Sequence, residues 1–261
     1  MKRFAVIGDP ISHTLSPLIH NYNFKLNDNN YEYHAIHVLR DDIADIRTIA
    51  KDYSLYGFNV TLPHKQTIMR YLDNVSKEAQ HVGAVNTVQI ENGRFAGHNT
   101  DVSGYRQALL EKFDLTSGLN VLILGGGGAA KAVHYVHHHL EHEVTVAVRD
   151  VAKLDNFSDL PFYRVHFNDV NLNEYDIIIN ATPIGLNRED VMKVLGLGAD
   201  INENTIGIDL IYHTPTPFLD YFRNHMDGLG MLVHQAMDAY TIWTGHSGHP
   251  EEIKAMLRDR L

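Results

Sequence analysis

Residues 57–65, GFNVTLPHK, place polar groups that can do chemistry within a strand-like apolar pattern. Asn59 and Thr61 are two residues apart, so in a strand both side chains project from one face and could meet one ligand. Pro63 cannot donate a hydrogen bond to a sheet, so we expect the strand to end there and Lys65 to follow it. A lysine ammonium can protonate a developing alkoxide, but most lysines are simply solvated, and the residue type leaves both interpretations open.

A second reactive group is the carboxylate of Asp101, in the segment GHNTD (97–101). The same residue type is a good helix N-cap, and a helix is predicted to begin near Ser103. Ser16, which precedes Pro17, carries a similar N-cap signal, and a helix N-terminus also suits a carboxylate ligand.

A glycine-rich turn follows the apolar run NVLILG (120–125). Gly125, Gly127 and Ala130 match the G-x-G-x-x-G/A pattern between a predicted strand and a predicted helix. Glycines let the backbone approach a pyrophosphate closely, and the helix N-terminus offers free N–H groups. The segment therefore predicts a nucleotide site; the alternative is a tight turn with a packing role.

The segment AVRDVAK (147–153) after the next predicted strand indicates which nucleotide binds. An acidic residue there would bind a ribose 2′-hydroxyl, whereas a cationic one would accept a 2′-phosphate. Arg149 and Lys153 favour the phosphate, while Asp150 opposes it by charge repulsion. NADP(H) is the predicted cofactor, and specificity constants that favour NAD would contradict this choice.

Histidines are concentrated in the predicted helix after the glycine turn. A spacing of four places His134, His138 and His142 on one helix face, which could hold a metal ion. Because no carboxylates are placed to orient the rings, we expect a solvent-facing surface and no metal site.

Apolar runs rich in Val and Ile characterise the second half of the chain. Such runs suit strands that are buried on both faces of a parallel sheet, and their alternation with helices favours a doubly wound α/β domain. The runs cover residues 120–125, 143–148, 163–167, 176–181 and 205–211.

The first half mixes predicted strands with predicted helices, and Asn92-Gly93 indicates a two-residue hairpin. A helix over 104–113 precedes a polar segment, so a domain border is expected near 102–118. The tail is predicted to be helical and to pack back on the first domain, with Tyr240 and Trp243 in the core. The predicted strands cover 2–8, 31–38, 56–62 and 83–90, the predicted helices 16–27, 41–52 and 64–72, and the predicted domains 1–102, 103–230 and 231–261.

The composition is that of a globular protein, with 44% hydrophobic and 21% charged residues among 261. There are no cysteines, which excludes disulfides and thiolate metal sites. A net charge of −10 argues against a nucleic-acid or anionic-membrane partner. No signal peptide or membrane helix is apparent, so we expect a cytoplasmic protein with a small-molecule substrate.

Several motifs, in a fixed order over nearly the whole chain, resemble the shikimate dehydrogenase (shikimate/quinate dehydrogenase) family. The resemblance implies an N-terminal substrate domain, a Rossmann-type NADP-binding domain and final helices that return to the first domain. It also implies reversible NADPH-dependent reduction of 3-dehydroshikimate to shikimate, a step of the chorismate pathway in aromatic amino-acid biosynthesis. The motifs are GDPISHTLSP (8–17), GFNVTLPHK (57–65), GAVNT (83–87), GHNTD (97–101), GGGGAA (125–130), NATPIG (180–185), DLIY (209–212) and GLGMLVHQA (228–236).

The resemblance also implies roles for the residues at matching positions. Lys65 and Asp101 would form the catalytic pair. The substrate would be held by Thr14, Ser16, Asn59, Thr61, Asn86, Asp101, Tyr212 and Gln235. The cofactor would contact Gly125, Gly126, Gly127, Gly128, Ala129, Arg149, Lys153, Leu210 and Gly228. No metal is implied, and the assembly is expected to be a monomer or homodimer.

The sequence departs from the family pattern in places. Val148-Arg149-Asp150 replaces the usual Asn-Arg-Thr, Val102 replaces a common glycine after Asp101, and YHTPTPF (212–218) shortens a loop. Asp150 keeps open a quinate/shikimate dehydrogenase that uses NAD. A catalytically silent ligand sensor is the other alternative, but it should have lost Lys65 or Asp101, and both are present.

Overall fold

The computed structural model describes residues 1–12, 14–213 and 215–260. His13, Thr214 and Leu261 lie outside the described residues, and with them one residue each of the predicted motif 8–17, the loop 212–218 and the helical tail. The chain divides into two compact units. Unit 1 comprises residues 1–104 and 233–260, and unit 2 comprises residues 105–232. The C-terminal segment therefore belongs to the same unit as the N-terminal half, as predicted.

Unit 1 contains a mixed sheet. Its strands are β1 (Lys2–Gly8), β2 (Tyr31–His37), β3 (Leu55–Val60), β4 (Asn74–Val75), β5 (Thr87–Glu91) and β6 (Arg94–His98). Their order is β2-β1-β3-β5-β6-β4. β1 pairs in parallel with β2 and β3, whereas β5 is antiparallel to both β3 and β6. The last residues of β3 thus lie beside the first residues of β5, with Asn59 opposite Thr87.

Unit 2 contains a parallel sheet, and its inner strands are short, mostly buried apolar runs, as is typical of strands covered on both faces. The strands are β7 (Asn120–Leu124), β8 (Glu143–Val148), β9 (Tyr163–His166), β10 (Ile177–Asn180), β11 (Ile206–Asp209) and β12 (Asn224–Met226). Their order is β12-β11-β10-β7-β8-β9, the doubly wound order of dinucleotide-binding domains. The strand order reverses beside β7, and a ligand in such sheets binds at the carboxyl end of the strands at that point.

The helices lie mainly between the strands in sequence. They are α1 (Ser16–Leu26), α2 (Ile46–Asp52), α3 (Lys77–Val82), α4 (Thr100–Lys112), α5 (Gly128–His139), α6 (Val191–Leu195), α7 (Leu229–Thr244) and α8 (Pro250–Arg258). Among the residues that the structure describes, no helix has both the length and the apolar character that a bilayer span requires.

The connections of unit 1 confirm one prediction and correct two. Asn92 and Gly93 have φ angles of 51° and 76°, which is the two-residue hairpin that their sequence predicted. The strand predicted from residue 83 begins only at Thr87, because Gly83, with φ of 68°, ends helix α3. The predicted helix 64–72 is instead a short 3₁₀ helix, Thr67–Tyr71.

The core of unit 1 includes aromatic residues of the C-terminal helix α7. Trp243 stacks on Phe4 with ring centroids 4.9 Å apart, and its Nε1–H donates to the Val88 carbonyl at 3.0 Å. Tyr240 is fully buried in the same cluster. The prediction that Tyr240 and Trp243 are core residues is confirmed.

Candidate active site

The two predicted catalytic residues meet in unit 1. Lys65 Nζ donates to Asp101 Oδ2 at 2.6 Å, and the side chains are only 18% and 8% exposed. Lys65 follows the cis peptide Leu62–Pro63, and its carbonyl accepts the Val85 N–H at 2.8 Å. A buried ion pair between a cation and a carboxylate can hold a proton donor at a fixed position.

Neighbouring side chains fix the backbone on both sides of this ion pair. The buried His64 ring bonds the Val38 carbonyl at 2.7 Å and so anchors the residue before Lys65. Helix α4 begins at Thr100, one residue before Asp101, and the Asn99 side chain accepts the Asp101 N–H at 3.1 Å. The predicted N-cap role of Asp101 is therefore wrong. Asn99 supplies the cap, and the Asp101 carboxylate bonds to Lys65 instead.

Asn86 holds the second oxygen of the Asp101 carboxylate. Its Nδ2 donates to Asp101 Oδ1 at 2.8 Å and to Thr100 Oγ1 at 3.0 Å. Its Oδ1 accepts the Thr100 N–H at 2.7 Å. A backbone N–H can only donate, so this bond fixes the orientation of the Asn86 amide and directs its nitrogen at Asp101.

Asn59 and Thr61 lie at the end of β3. Asn59 is 6% exposed; its Oδ1 accepts the Tyr33 hydroxyl at 2.6 Å, and its Nδ2 donates to the Asn86 carbonyl and to Thr87 Oγ1. Thr61 lies one residue beyond the strand, is half-buried, and donates its N–H to the Ile7 carbonyl at 2.9 Å. The substrate contacts predicted for both residues stay predictions.

Thr14 and Ser16 form a hydroxyl pair at the start of α1. Thr14 Oγ1 donates to Ser16 Oγ at 3.1 Å. The helix begins at Ser16 itself, with Leu15 at the N-cap position, so the predicted N-cap role of Ser16 is wrong. Two hydroxyls at the N-terminus of an 11-residue helix provide donors and a positive dipole end, which are the groups that a carboxylate requires.

Gln235, the remaining substrate residue predicted in unit 1, is half-buried on α7. Its backbone packs against Gly104, where an added Cβ would lie 2.6 Å from the Gln235 nitrogen. Because Gly104 is on α4, this contact places Gln235 beside the helix that carries Asp101. A residue larger than glycine at 104 would separate the two helices.

The glycine turn of unit 2 joins β7 to α5. Gly125 has φ of 104°, a conformation that favours glycine, and an added Cβ would lie 3.0 Å from Thr182. Gly127 occupies the N-cap position with no side-chain cap, and an added Cβ there would meet no atom within 4 Å. The first N–H groups of α5, including those of Gly128 and Ala129, have no partner within the helix. Open space above uncapped N–H groups fits a pyrophosphate.

The basic segment after β8 lies against this turn. Arg149 and Lys153 are both exposed, and Leu154 packs on Gly126, where an added Cβ would lie 2.9 Å from its side chain. Lys131, on α5, donates to the Asn156 carbonyl at 3.1 Å, and burial lowers its pKa. No role was predicted for Lys131, which fixes Asn156, three residues beyond the basic segment, to the helix that follows the glycines.

Leu210 and Gly228 lie next to each other at the carboxyl end of β11. The Gly228 N–H donates to the Ile211 carbonyl at 3.0 Å, and a Cβ on Gly228 would overlap the Leu210 backbone. The buried Asp209 holds this region: its Oδ1 accepts the Ile211 N–H at 3.0 Å and Asn180 Nδ2 at 3.1 Å. Burial raises the pKa of Asp209.

Tyr212, the predicted substrate residue in unit 2, follows this region. Its side chain is half-buried, and burial raises the pKa of its hydroxyl. Asp209 Oδ2 also accepts the Thr216 hydroxyl, so one carboxylate holds both ends of the loop that carries Tyr212. Asn180 and Asp209 lie in the motifs NATPIG and DLIY, but no role was predicted for either residue. The spacing of the two residues in the sequence does not indicate that they hydrogen-bond to each other.

The histidines are not the solvent-facing surface that the sequence predicted. His134, His137 and His142 are buried, and α5 ends at His139, so His142 lies beyond the helix rather than on its face. His137 Nδ1 and His142 Nδ1 are 2.8 Å apart and hydrogen-bond to each other. Within the described parts of the chain, no group of three or more His, Cys, Asp or Glu side chains is placed to hold a metal ion.

Comparison with known proteins identifies the family. Residues 6–88 match the shikimate dehydrogenase substrate binding domain, and residues 228–255 match the shikimate 5′-dehydrogenase C-terminal domain. Over 258 residues, the chain is 37% identical to the shikimate dehydrogenase (NADP(+)) of Methanococcus maripaludis, covering 94% of this chain and 92% of the relative.

Two solved structures give the same result. The shikimate 5-dehydrogenase of Thermus thermophilus, in complex with NADP(H) and shikimate, superposes with a TM-score of 0.88 at 31% identity, covering 100% of both chains. The enzyme of Listeria monocytogenes, in complex with shikimate and NAD, gives a TM-score of 0.86 at 30% identity, covering 98% of this chain and 96% of that one. With this identity along almost its full length, the chain belongs to the shikimate dehydrogenase family.

Proposed function

We propose that this protein catalyses the reversible NADPH-dependent reduction of 3-dehydroshikimate to shikimate, within chorismate and aromatic amino-acid biosynthesis. The observation that carries the proposal is the partly buried ion pair between Lys65 and Asp101, at 2.6 Å, in a member of this family. The names of the relatives support the activity, and the complex of the Thermus thermophilus enzyme with NADP(H) and shikimate supports the substrate and cofactor.

The reduction of a ketone to a secondary alcohol requires a hydride at carbon and a proton at oxygen. NADPH, when bound, supplies the hydride. Lys65 is proposed to supply the proton: its Nζ donates to the carbonyl oxygen as negative charge develops there, and it accepts the proton in the reverse direction. Asp101 holds the ammonium at a fixed position through Oδ2 and is itself held by Asn86 through Oδ1.

The substrate carboxylate is proposed to bind at the hydroxyl pair Thr14 and Ser16, with the Tyr212 hydroxyl as a further donor. The helix dipole of α1 favours an anion at this position. The ring hydroxyls of the substrate would then contact neutral and acidic side chains. Those proposed for this role are Asn59, Thr61, Asn86, Asp101 and Gln235.

The cofactor pyrophosphate is proposed to bind at Gly125–Ala129, where the N-terminus of α5 is uncapped and open. Arg149 and Lys153 would bind the 2′-phosphate, and Leu210 and Gly228 would contact the nicotinamide half. NADP(H) is thus the proposed cofactor.

A direct spectrophotometric assay tests the proposal. The purified protein is mixed with shikimate or quinate and with NADP or NAD, and the absorbance of the reduced nicotinamide is followed. The expected result is turnover with shikimate and NADP. Absence of turnover in every combination, with folded protein, would contradict the proposal and favour a ligand sensor.

Lys65→Ala tests the proton donor. General acid–base groups contribute about 10²- to 10⁴-fold, so kcat should fall by that factor. Lys254→Ala is a matched control, because Lys254 is another lysine of unit 1 with little exposure and an ion-pair partner, Glu251 at 2.9 Å. Equal turnover of the two variants would remove Lys65 from the mechanism. Asp101→Asn should likewise lower kcat strongly while leaving the affinity for NADP nearly unchanged.

A quinate/shikimate dehydrogenase that uses NAD is the second candidate. It is favoured by Asp150, which is exposed beside Arg149, and by the Listeria monocytogenes relative in complex with shikimate and NAD. A kcat/KM for NAD above that for NADP, or turnover of quinate, would select it.

We further propose that the protein is cytoplasmic and that it is a monomer or a homodimer. Its substrate is a small molecule, and it has no nucleic-acid or membrane partner. The net charge of −10 supports the last point, because nucleic acids and anionic membranes repel it. Light scattering after gel filtration tests the assembly, and fractionation of cells tests the location.

A further inference from the structure

The hydroxyl group of Thr87 connects several residues of the candidate site without facing solvent. Thr87 is the first residue of β5 and is 0% exposed. Its Oγ1 accepts Asn59 Nδ2 at 2.9 Å, donates to Asn86 Oδ1 at 3.1 Å, and lies 3.1 Å from Thr100 Oγ1. We propose that Thr87 is a positioning residue for the reaction: its hydroxyl sets the geometry of Asn86, and through Asn86 that of Asp101. The inference rests on the proposed function.

The directions of the hydrogen bonds follow from the groups that can only donate or only accept. Asn59 Nδ2 also donates to the Asn86 carbonyl, which can only accept, so the nitrogen of the Asn59 amide faces Thr87. The Thr87 oxygen therefore accepts from Asn59, and its single proton is free to point toward Asn86 Oδ1. Among the described residues, Thr87 has the one side chain that bonds to the side chains of both Asn59 and Asn86.

Asn86 is clamped by these partners. Its Oδ1 receives the Thr100 N–H at 2.7 Å and the Thr87 hydroxyl, and its Nδ2 is thereby aimed at Asp101 Oδ1 at 2.8 Å. The other oxygen of Asp101 bonds to Lys65. A continuous path of side-chain hydrogen bonds thus runs from Thr87 through Asn86 and Asp101 to the proposed proton donor.

Loss of the Thr87 hydroxyl would disturb this path at two places. One N–H of the Asn59 side-chain amide would be left buried without its acceptor, Thr87 Oγ1. A buried donor without a partner is unfavourable, so the Asn59 side chain is expected to move. Asn86 would lose one of the three donors that hold its Oδ1, and only the N–H and the hydroxyl of Thr100 would remain there. Because a misplacement of about 1 Å in a catalytic group can lower turnover about 100-fold, a shifted Asn86 is expected to reduce kcat.

Thr87→Val and Thr87→Ser separate the hydroxyl from the shape of the side chain. Thr87→Val keeps the shape and removes the hydroxyl, so kcat should fall by about 10- to 100-fold. The KM for shikimate should rise, while the KM for NADP should stay within about threefold, because Thr87 belongs to unit 1 and the glycine turn to unit 2. Thr87→Ser keeps the hydroxyl and should retain kcat within about threefold of wild type.

Thr205→Val is the matched control. Thr205 is 2% exposed, and its hydroxyl donates to the Tyr175 carbonyl at 3.0 Å within unit 2, whereas Thr87 belongs to unit 1. It should lower the melting temperature without changing kcat. A purely structural role of Thr87 predicts the same behaviour for Thr87→Val, and that outcome would overturn the inference. Equal losses of kcat in Thr87→Ser and Thr87→Val would also overturn it, because the hydroxyl would not be the cause.

A crystal structure of Thr87→Val gives a readout that does not depend on activity. The expected result is a displaced Asn86 amide and a longer Asn86–Asp101 bond than the 2.8 Å of the wild-type protein. An unchanged bond would overturn the inference. If the wild-type protein fails to oxidise shikimate, the proposed function falls, and the crystal structure still decides whether Thr87 positions Asp101.

Discussion

Acid should destabilise unit 2 through one buried histidine, His137. The Tyr105 hydroxyl donates to His137 Nε2 at 2.8 Å. His137 Nδ1–H donates to His142 Nδ1 at 2.8 Å, and His142 Nε2–H donates to the Thr116 carbonyl at 3.0 Å. The Thr116 carbonyl can only accept, so His142 Nε2 carries a proton. Burial lowers the pKa of both rings and keeps them neutral, and in neutral rings this proton sets the direction of the other two bonds. Burial, with smaller contributions from His142 and His134, lowers the pKa of His137 from 6.5 to about 3.

The magnitude follows from the difference between the folded and unfolded pKa values. The folded state resists a proton that the unfolded state accepts below pH 6.5. The contribution of His137 to the free energy of unfolding is therefore complete above pH 6.5 and is lost as the pH falls toward 3. Between pH 7 and pH 5 the loss is roughly 2 kcal/mol, because each pH unit below the unfolded pKa is worth about 1.4 kcal/mol.

Urea unfolding of wild type and His137→Leu, followed by circular dichroism at pH 7 and pH 5, isolates this contribution. At pH 7 the variant should be less stable, because the Tyr105 hydroxyl and His142 Nδ1 lose their partner, at a cost of about 1–3 kcal/mol each. At pH 5 the difference should shrink by roughly 2 kcal/mol, because only the wild-type protein still has the pKa shift of His137. The comparison cancels titrating groups that do not interact with His137, such as His20, whose pKa burial also lowers to about 3.

Tyr105→Phe is the control for this experiment. It removes the hydrogen bond to Nε2 but keeps the buried ring that titrates, so its stability should fall between pH 7 and pH 5 as steeply as that of wild type. A difference between wild type and His137→Leu that is the same at both pH values would refute the reasoning.

Three further predictions concern the cofactor region and the core. Gly228→Ala should raise the KM for NADP and lower the melting temperature, because the new Cβ overlaps the Leu210 backbone; kinetics and a thermal melt would check both effects. Arg149→Ala should raise the KM for NADP about 10- to 100-fold and leave that for NAD within about threefold, since it removes the charge-assisted bond that we propose to the 2′-phosphate; steady-state kinetics with both nucleotides measures this. Trp243→Phe should lower the free energy of unfolding by about 1–3 kcal/mol at unchanged kcat, because the Val88 carbonyl loses its donor; urea unfolding by circular dichroism reports it, and unchanged stability would contradict the assignment.

The parallel sheet could be predicted from the sequence because burial on both faces leaves a continuous apolar run. The run 143–148 is strand β8 in full, and the run 120–125 differs from β7 by one residue. Strands β4 and β12 have two and three residues, which is too short to produce a period, and they were not predicted. The strand proposed from residue 83 began too early because Gly83 fits equally well as part of a strand or as the end of a helix.

The candidate site was only partly predictable. The ion pair between Lys65 and Asp101 matched the family motifs, but Thr87 and Thr100, which hold the Asn86 side chain beside Asp101, are neutral hydroxyl residues without a characteristic spacing. Their role depends on the pairing of β3 with β5, which the local sequence does not encode. The histidine pattern was misleading for a similar reason, since α5 ends at His139 and the partners of His137 and His142 come from distant parts of the chain.

The proposed catalytic residues and the proposed coenzyme contacts lie in different units of the chain, which matters for engineering. Lys65, Asp101, Asn86 and Thr87 all lie in unit 1, whereas the glycine turn and the basic segment lie in unit 2. A mutant library restricted to residues 105–232 would therefore vary the proposed coenzyme contacts while the proposed proton donor and the residues bonded to it stay unchanged. The same separation would let the coenzyme preference change by mutation in unit 2 alone.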